Sequence, residues 1–372
     1  MRKTKAFMIA ALTAAGVAVC MSAPAFADAK ETETITLCLD WTPNTNHTGF
    51  YAAVANGYYE MEGLTVEIVQ PPEGGAVTMC ASGQAQFAID AQDTTAASYD
   101  LDEPLGVTAV AALLQHNTSG IISRSGEGLD HPAGLEGHTY STWEIPTELS
   151  VMETVVTQDG GDWEKVTLIP NDLSDEPAAL KANQTDAVWV FYGWSCINSE
   201  VEGVDCDFFY FKDINDVFDY YTPTLIANDE FLQKEPDTVK AFLRATQMGY
   251  EYAAENPEEA AQILIDGDDT GALAGSEELV KKSQEYISGQ YMADEEKWGY
   301  IDPERWNTFY AWLYEEGLTE HDLSDSVGFT NDFLPSMQTA GMETEEDAAG
   351  TAEAATEAES AAVGTEANRD SV

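Results

Sequence analysis

Strand-like and helix-like stretches alternate regularly along the first part of the chain. Residues 34–39, 64–69 and 86–89 have the apolar character of short strands, and residues 50–56 and 76–82 between them have helical character. Strands separated by helices favour a parallel or mixed sheet with helices on its faces, because each helix returns the chain to the same end of the sheet. The alternation therefore predicts an α/β fold.

A second series of the same kind follows. Its strand-like stretches are residues 121–123, 138–142, 165–169, 187–191 and 208–211. Residues 220–226 also have strand character, and we expect them to return to the first sheet. The chain would then cross between two lobes twice, near residues 116–123 and 218–225. Two crossings between two lobes make a hinged cleft.

The predicted divisions follow from these crossings. The first part of lobe 1 is residues 28–120, lobe 2 is residues 121–221, and residues 222–337 form a second, largely helical part of lobe 1. Within that last part, four apolar side chains recur at the i, i+3, i+4, i+7 spacing of one helix face: Trp306, Phe309, Tyr310 and Leu313. We expect this face to belong to the core.

Both ends of the chain are predicted to lie outside the folded body. Residues 1–27 combine a basic start, an apolar run and the small-residue sequence AFA, which is the pattern of a cleavable signal peptide. We therefore expect an exported protein, in the periplasm or at the outer face of the cytoplasmic membrane, with lipid attachment at Cys20 as the alternative to free secretion. Residues 338–372 are rich in Ala, Thr and Glu and lack aromatic residues, so we expect a disordered acidic tail.

The charge of the chain excludes some classes of partner. There are 67 acidic and 16 basic residues, for a formal net charge of −51. Such a charge repels nucleic acid and anionic lipid, so membrane contact is expected only through a lipid tether or a transporter. The sequence has no nucleophile elbow, phosphate-binding loop or zinc-protease motif, and its five histidines lack metal-ligand spacing. We expect no metal and no cofactor.

Four cysteines follow the predicted signal peptide. Cys38 and Cys80 lie in apolar or small-residue stretches, and we predict that both are buried packing residues. Cys196 and Cys206 could form a disulfide if a hairpin brings them together. The sequence leaves that pairing open.

Aromatic and polar side chains are concentrated where the predicted strands end, which is where ligands bind in α/β folds. The loop after the first strand carries Asp40, Trp41, Asn44 and His47. The other candidate ligand-binding residues are Asp93, Asn117, Ser119, Trp143, Glu144, Tyr192 and Trp194. The alternative role of each polar residue is a hydrogen bond that only stabilises its own loop. Trp189 is predicted to belong to the core.

Several segments together carry a family resemblance. DWTPNTNHTGFYAA (40–53), QHNTSGIIS (115–123), DAVWVFYGW (186–194) and GYIDPERW (299–306) resemble the ThiY-type pyrimidine-precursor-binding proteins. The resemblance implies a type II-like periplasmic-binding-protein fold, in which two α/β lobes close on a ligand. It also implies a thiamin-precursor ligand, formylaminopyrimidine or hydroxymethylpyrimidine. A monomer would deliver this ligand to an ABC permease and its ATPase without chemistry.

The candidate residues suit such a ligand. A flat pyrimidine stacks on aromatic rings, so we expect Trp41 from one lobe and Tyr192 or Trp194 from the other to enclose it. Its exocyclic amine needs acceptors, for which Asp40, Asp93 and Glu144 are candidates. The residues that could orient ring nitrogens are Asn44, His47, Asn117 and Ser119.

A fungal branch of the same fold synthesises the pyrimidine. The resemblance implies that this branch uses a lysine-bound pyridoxal phosphate, a histidine and a cysteine-rich run. This sequence has Asp90 and Thr94 at the matching positions and FDYY at 218–221 instead of cysteines. We expect Tyr220 and Tyr221 to line the cleft instead. Two alternatives stay open: a binding protein for another small amine or a sulfonate, and a pyrimidine-synthase-like enzyme.

Overall fold

The computed structural model describes residues 32–170, 173 and 175–335. The predicted signal peptide, Cys20 and the predicted acidic tail lie outside these residues. Within them, ten strands form two sheets of five strands each. The strands are β1 (Glu33–Cys38), β2 (Leu64–Val69), β3 (Phe87–Asp90), β4 (Val107–Ala112), β5 (Ser119–Arg124), β6 (Thr139–Thr142), β7 (Thr167–Pro170), β8 (Ala187–Phe191), β9 (Cys206–Tyr210) and β10 (Thr224–Asn228).

Both sheets are mixed. The first has the strand order β2-β1-β3-β10-β4, in which β1 pairs in parallel with β2 and β3, and β10 lies antiparallel between β3 and β4. The second has the order β7-β6-β8-β5-β9, with β6 parallel to β7 and β8 and with β5 antiparallel to β8 and β9. The predicted return of the chain to the first sheet is confirmed, because β10 is inserted between two strands from the start of the chain.

The sheets define two lobes. Lobe 1 contains β1–β4 and β10, and lobe 2 contains β5–β9. The chain crosses between them through residues 113–118, which follow β4, and through the segment that leads from β9 back to β10. The predicted two-lobed α/β fold with two crossings is confirmed.

Helices cover the faces of both sheets. In the described part of the chain they are α1 (Thr48–Ala55), α2 (Tyr58–Met61), α3 (Ala76–Ala81), α4 (Gln92–Tyr99), α5 (Pro146–Gln158), α6 (Glu176–Lys181), α7 (Ile197–Val201), α8 (Phe211–Ile214), α9 (Asp229–Lys234), α10 (Pro236–Glu255), α11 (Pro257–Gly267), α12 (Glu277–Ile287) and α13 (Pro303–Glu315). A π-helical turn, Tyr192–Cys196, joins β8 to α7. None of the described helices is both long and apolar enough to cross a membrane.

Aromatic stacking organises the core of lobe 1. Phe87 of β3 stacks on Phe242 of α10 with ring centroids 3.9 Å apart, and Tyr250 stacks on Trp298 at 4.4 Å. Such contacts add about 0.5–1.5 kcal/mol to the burial of each ring. The predicted aromatic face of α13 is buried, so its assignment to the core is confirmed.

Several elements were not predicted from the sequence, among them one strand and one helix of lobe 1. The strand β4 consists mainly of small residues, VTAVAA, and α4 has almost no apolar face, so neither has a strong periodic signal. The structure describes all four cysteines that follow the predicted signal peptide. Cys38 and Cys80 are fully buried as predicted, and Cys196 and Cys206 are both free thiols.

Candidate functional site

A cavity of about 300 Å³ lies between the two lobes. This volume is at the lower end of the range for small-molecule sites. Its lining includes Asp40, Trp41, Asn44 and Asn46 from lobe 1, Trp143, Glu176, Trp189, Phe191, Trp194 and Ser195 from lobe 2, and Thr222 and Pro223 from the second crossing. Both lobes therefore contribute aromatic and polar groups to one enclosed space.

A larger cavity of about 860 Å³ lies elsewhere, between α8, the turn that follows it and α13. Charged side chains such as Lys212, Asp219 and Arg305 line it, and no Trp, Tyr or Phe is among its described lining residues. Because a flat heterocycle gains most from ring faces, the smaller interlobe cavity is the better candidate site.

Trp41 lies just after β1, at the carboxyl end of that parallel strand. Its side chain is 54% exposed, which is unusual for an indole. The loop around it is held by its own polar groups. The side-chain oxygen of Asn44 accepts a hydrogen bond from the backbone N–H of Asn46 at 2.9 Å, and the amide nitrogen of Asn44 donates to the Thr42 carbonyl at 3.1 Å. The loop therefore stays fixed while the indole remains open to the cavity.

His47 forms a hydrogen bond to Asp40 and does not line the cavity. Its ring is fully buried, and Nδ1 accepts the backbone N–H of Asn44 at 3.2 Å. Nε2 therefore carries the proton and donates to Oδ1 of Asp40 at 2.8 Å. Both ring nitrogens are occupied within the loop, so His47 orients the Asp40 carboxylate toward the cavity.

Trp143 occupies the equivalent place in lobe 2, directly after β6, and is 44% exposed. The buried carboxylate of Glu148 fixes this loop. It accepts hydrogen bonds from the hydroxyls of Tyr140 at 2.5 Å and Thr142 at 3.0 Å, and from the backbone N–H of Trp143 at 3.1 Å. Glu144, which was a candidate acceptor, is exposed at a positive φ of 60° and does not line the cavity.

The π-helical turn after β8 separates two aromatic residues that were predicted to act alike. Trp194 lines the cavity, whereas Tyr192 packs on Phe208, Tyr210 and Tyr286, with ring centroids 5.3, 5.7 and 4.9 Å away. The structure therefore places Tyr192 outside the cavity. Two aromatic residues of β8, the strand before the turn, line the cavity in place of Tyr192. Trp189 was predicted to be core; it is largely buried but also contributes to the lining, together with Phe191.

Glu176 supplies a carboxyl group that sequence reasoning missed. It is the first residue of α6, and it lines the cavity together with Ser195 of the π-helical turn. Burial raises the pKa of Glu176 above its usual value. No motif marks this residue in the sequence, because α6 and the turn meet only in the fold.

Three predicted polar residues, Asn117, Ser119 and Asp93, lie outside the cavity lining and make contacts at the crossings. The side-chain nitrogen of Asn117 donates to the Phe218 carbonyl at 2.9 Å, and its oxygen accepts from the backbone N–H of Ser119 at 2.8 Å. Asp93 accepts from the Tyr220 hydroxyl at 3.3 Å. Burial, together with the nearby charge of Asp90, raises the pKa of Asp93 to about 6. All three support the crossings and do not line the cavity.

Tyr220 and Tyr221 were expected in the cleft, and the structure places both in the core. Tyr220 stacks on Phe309 of α13 with centroids 4.1 Å apart. The Tyr221 hydroxyl accepts the backbone N–H of Asp302 at 2.8 Å. The second crossing packs its rings against α13, so neither ring reaches the cavity.

The positions that matched the lysine and histidine of the fungal branch are occupied by a self-contained pair. The hydroxyl of Thr94 donates to Oδ1 of Asp90 at 2.6 Å, and that of Thr95 donates to Oδ2 at 2.9 Å. Neither Asp90 nor Thr94 supplies an amine for an aldehyde cofactor. Within the described ranges, no three His, Cys, Asp or Glu side chains are grouped so that they could hold a metal ion.

The predicted site residues thus divide into two groups. Those that the structure brings together at the cavity are Asp40, Trp41, Asn44, Trp143 and Trp194. Those that lie outside its lining are His47, Asp93, Asn117, Ser119, Glu144, Tyr192, Tyr220 and Tyr221. The first group comes mainly from the ends of parallel strands.

Comparison with known families gives a match over residues 44–260 to the family described as NMT1/THI5 like. The chain belongs to this family. It is 31% identical to a formylaminopyrimidine-binding protein of Halalkalibacterium halodurans, over 82% of this chain and 92% of that relative. It is 25% identical to the 4-amino-5-hydroxymethyl-2-methylpyrimidine phosphate synthase THI13 of Saccharomyces cerevisiae, over 63% of this chain and 71% of that enzyme.

Solved structures share the architecture. The periplasmic aliphatic sulphonate binding protein SsuA from Escherichia coli superposes with a TM-score of 0.61, over 84% of this chain and 96% of that protein, at 11% identity. Identity this low establishes the fold alone. The two relatives named above are a binding protein and an enzyme.

The raised pKa of Asp93 predicts a pH-dependent contribution to stability. A carboxyl group that is more easily protonated in the folded state stabilises the fold below its ordinary pKa, and this stabilisation is lost as pH rises through about 6. Between pH 7 and pH 5, the free energy of unfolding of the wild type should therefore rise relative to Asp93→Asn by about 1 kcal/mol. Urea denaturation of both proteins at the two pH values measures this difference. Parallel pH profiles for the two proteins would contradict the prediction.

Proposed function

We propose that this protein is an extracytoplasmic binding protein that captures an aminopyrimidine precursor of thiamin and delivers it to an ABC importer. One observation carries the proposal: the interlobe cavity is lined by the Trp41 indole from lobe 1 and by the rings of Trp143, Trp189 and Phe191 from lobe 2, beside the carboxyl group of Glu176. A flat ring with an exocyclic amine fits both features.

The ring faces supply the nonspecific part of the binding energy. A stacking contact adds about 0.5–1.5 kcal/mol to the area that it buries. Half-exposed indoles such as Trp41 and Trp143 also lose water contact when a ligand covers them. Rings on both lobes favour a ligand that is flat on two sides.

The carboxyl groups supply the specificity. The 4-amino group and the adjacent ring nitrogen of such a pyrimidine form a donor–acceptor pair. Glu176 lines the cavity beside Ser195, and its pKa, which burial raises, favours a carboxyl group that shares a proton with this ring edge. Asp40, which His47 orients, is the acceptor on the other lobe. Hydrogen bonds to charged groups contribute about 1.5–3 kcal/mol each, so a few contacts reach micromolar affinity, about −8 kcal/mol.

Three further observations support an extracytoplasmic transport role. Residues 1–27 have the pattern of a signal peptide, and lipid attachment at Cys20 remains the alternative form of export. The formylaminopyrimidine-binding relative covers most of the chain. The structural neighbours include a ligand-binding component of an ABC-type import system from Staphylococcus aureus and a periplasmic sulphonate binding protein. A permease and its ATPase are the partners of such a protein, and a monomer suffices because both faces of the site come from one chain.

The second candidate function is pyrimidine synthesis, which the synthase relatives favour. Against it, the positions that match the lysine and histidine of the fungal branch hold Asp90 and Thr94, and these two side chains hydrogen-bond each other. We therefore propose binding without chemistry.

Calorimetry with three compounds separates the candidate functions. We expect saturable, micromolar or tighter binding of formylaminopyrimidine or hydroxymethylpyrimidine, and no covalent adduct with pyridoxal phosphate. Aliphatic sulfonates serve as the comparison ligand for the other binding class. A pyridoxal phosphate adduct detected by mass spectrometry, or sulfonate binding without pyrimidine binding, would overturn the proposal.

Trp41→Ala should weaken pyrimidine binding at least tenfold, about 1.4 kcal/mol, because one stacking face is lost. The melting temperature should be nearly unchanged, since the indole is half exposed and packs little. Titration calorimetry and thermal unfolding measure the two quantities. Tyr314→Ala, at an exposed ring that does not line the cavity, is the control. Unfolding of Trp41→Ala with full affinity in the folded fraction would show that Trp41 is a packing residue.

Glu176→Ala should also reduce affinity at least tenfold, and the loss should be larger for an aminopyrimidine than for its 4-oxo analogue. The reason is that the oxo compound lacks the amino group whose hydrogen bond the carboxyl oxygen accepts. Glu144→Ala is the matched control, because Glu144 is exposed outside the cavity. Equal losses for the two ligands would contradict the assigned role of Glu176.

A further inference from the structure

The two lobes also touch at a place that is separate from both crossings. Helix α12 of lobe 1 packs against the π-helical turn and α7 of lobe 2. At the centre of this contact, the hydroxyl of Ser283 donates a hydrogen bond to the carbonyl of Gly193. The same hydroxyl lies 2.6 Å from Oγ1 of Thr45. One buried hydroxyl thus joins the ligand loop of lobe 1 to the aromatic turn of lobe 2.

Ring contacts extend this interface. Tyr286 of α12 packs on Tyr192 with centroids 4.9 Å apart, and its hydroxyl is 3.1 Å from that of Tyr210. Trp194 of lobe 2 packs against a small cluster of lobe 1 that includes Leu273 and Val280. The interface therefore combines apolar burial with directed hydrogen bonds, as a specific contact requires.

The position of this contact in the chain gives it a role in closure. The crossings join the lobes in every state, whereas a contact between residues remote from the crossings forms only when the lobes approach each other. Gly193 is directly followed by Trp194 and Ser195, which line the cavity, and Thr45 follows Asn44, which also lines it. Formation of the contact and completion of the cavity are therefore coupled.

We propose that the contact between α12 and the π-helical turn is a closing latch, in which Ser283 and Gly193 are positioning residues that set the affinity for a ligand they do not touch. The proposal rests on the proposed ligand-binding function. A ligand that bridges the lobes binds only the closed state, so any contact that stabilises this state raises the apparent affinity. Loss of the latch should therefore speed ligand release more than it slows capture.

Gly193 offers a direct way to test the latch. A Cβ atom at this position would lie 3.1 Å from Cδ1 of Ile287 and 3.2 Å from the Tyr286 ring, both on the opposite lobe. These distances are a few tenths of an ångström shorter than ordinary contacts, so we expect a methyl group there to disfavour the close approach of the two lobes. Gly289 is a matched control in lobe 1, because a Cβ at that position would meet only the Tyr286 carbonyl oxygen at 3.7 Å, an ordinary contact distance.

The experiment compares the wild type with Gly193→Ala, Ser283→Ala and Gly289→Ala. For Gly193→Ala we expect at least tenfold weaker formylaminopyrimidine binding, through faster dissociation at an unchanged association rate in stopped-flow fluorescence. In small-angle X-ray scattering, adding the ligand should reduce the radius of gyration of Gly193→Ala less than that of the wild type. Ser283→Ala should act in the same direction by several-fold, and Gly289→Ala should match the wild type. The melting temperature of the ligand-free proteins should agree.

The failure of the latch differs from the failure of the proposed function. If the wild type binds the pyrimidine and Gly193→Ala binds equally tightly with the same compaction, the latch is wrong and the function stands. A lower melting temperature of ligand-free Gly193→Ala with unchanged affinity would also overturn the latch, since the contact would then be a permanent interface. If the wild type binds no pyrimidine, the function fails. The latch, as a device that sets the affinity for this ligand, then fails with it.

Discussion

The carboxylate of Asp219 ties together the two chain crossings on which the two-lobed arrangement depends. Its Oδ1 accepts the backbone N–H of Asn117 from the first crossing at 2.9 Å, and its Oδ2 lies 2.6 Å from Nδ1 of His116. Arg305 of α13 adds a positive charge 3.8 Å from the same oxygen. Asn117 in turn donates to the carbonyl of Phe218. Because this partly buried acid of the second crossing binds the backbone and a side chain of the first, the two crossings are fixed to each other where the lobes join.

The cavity combines rigid backbone with exposed rings. His47 and Glu148 each satisfy several polar groups of one loop, and each loop leaves its indole half exposed. Exposure of apolar surface costs roughly 25 cal/mol per Å² relative to burial. In the ligand-free protein the indoles of Trp41 and Trp143 stay about half exposed, so the free energy of burying that surface is not gained. Burial of these rings by a ligand is therefore a favourable term that the fold leaves unused until binding.

The sequence predicted those parts of the structure that depend on local pattern. The alternation of strands and helices, the return of the chain through β10 and the positions of Trp41 and Trp143 after their strands all follow from periodicity and from the geometry of parallel sheets. Tyr192 was misplaced because the residues after β8 form a π-helical turn, and strand alternation does not predict the side-chain directions within such a turn. Glu176 was missed because its proximity to Ser195 is a tertiary contact. Tyr220 and Tyr221 were misassigned because only the packing of α13 decides whether a crossing faces the cavity.

The acidity of the chain has a structural counterpart in the way carboxylates are used. With few cations available, many acids accept hydrogen bonds from the backbone. Asp100 binds the N–H groups of Glu320 and His321 at 2.8 and 2.7 Å, and Asp268 binds that of Leu273 at 2.8 Å. Partial burial acts to raise the pKa of Asp100 and of Asp268, but these hydrogen bonds outweigh it and lower the pKa of both. Such carboxylates stabilise the fold at neutral pH, and this stabilisation is lost as pH falls through their lowered pKa values. These acids therefore serve as acceptors for loop backbone, and the ring of His321, 2.9 Å from Asp100, adds to the lowering of the pKa at that residue.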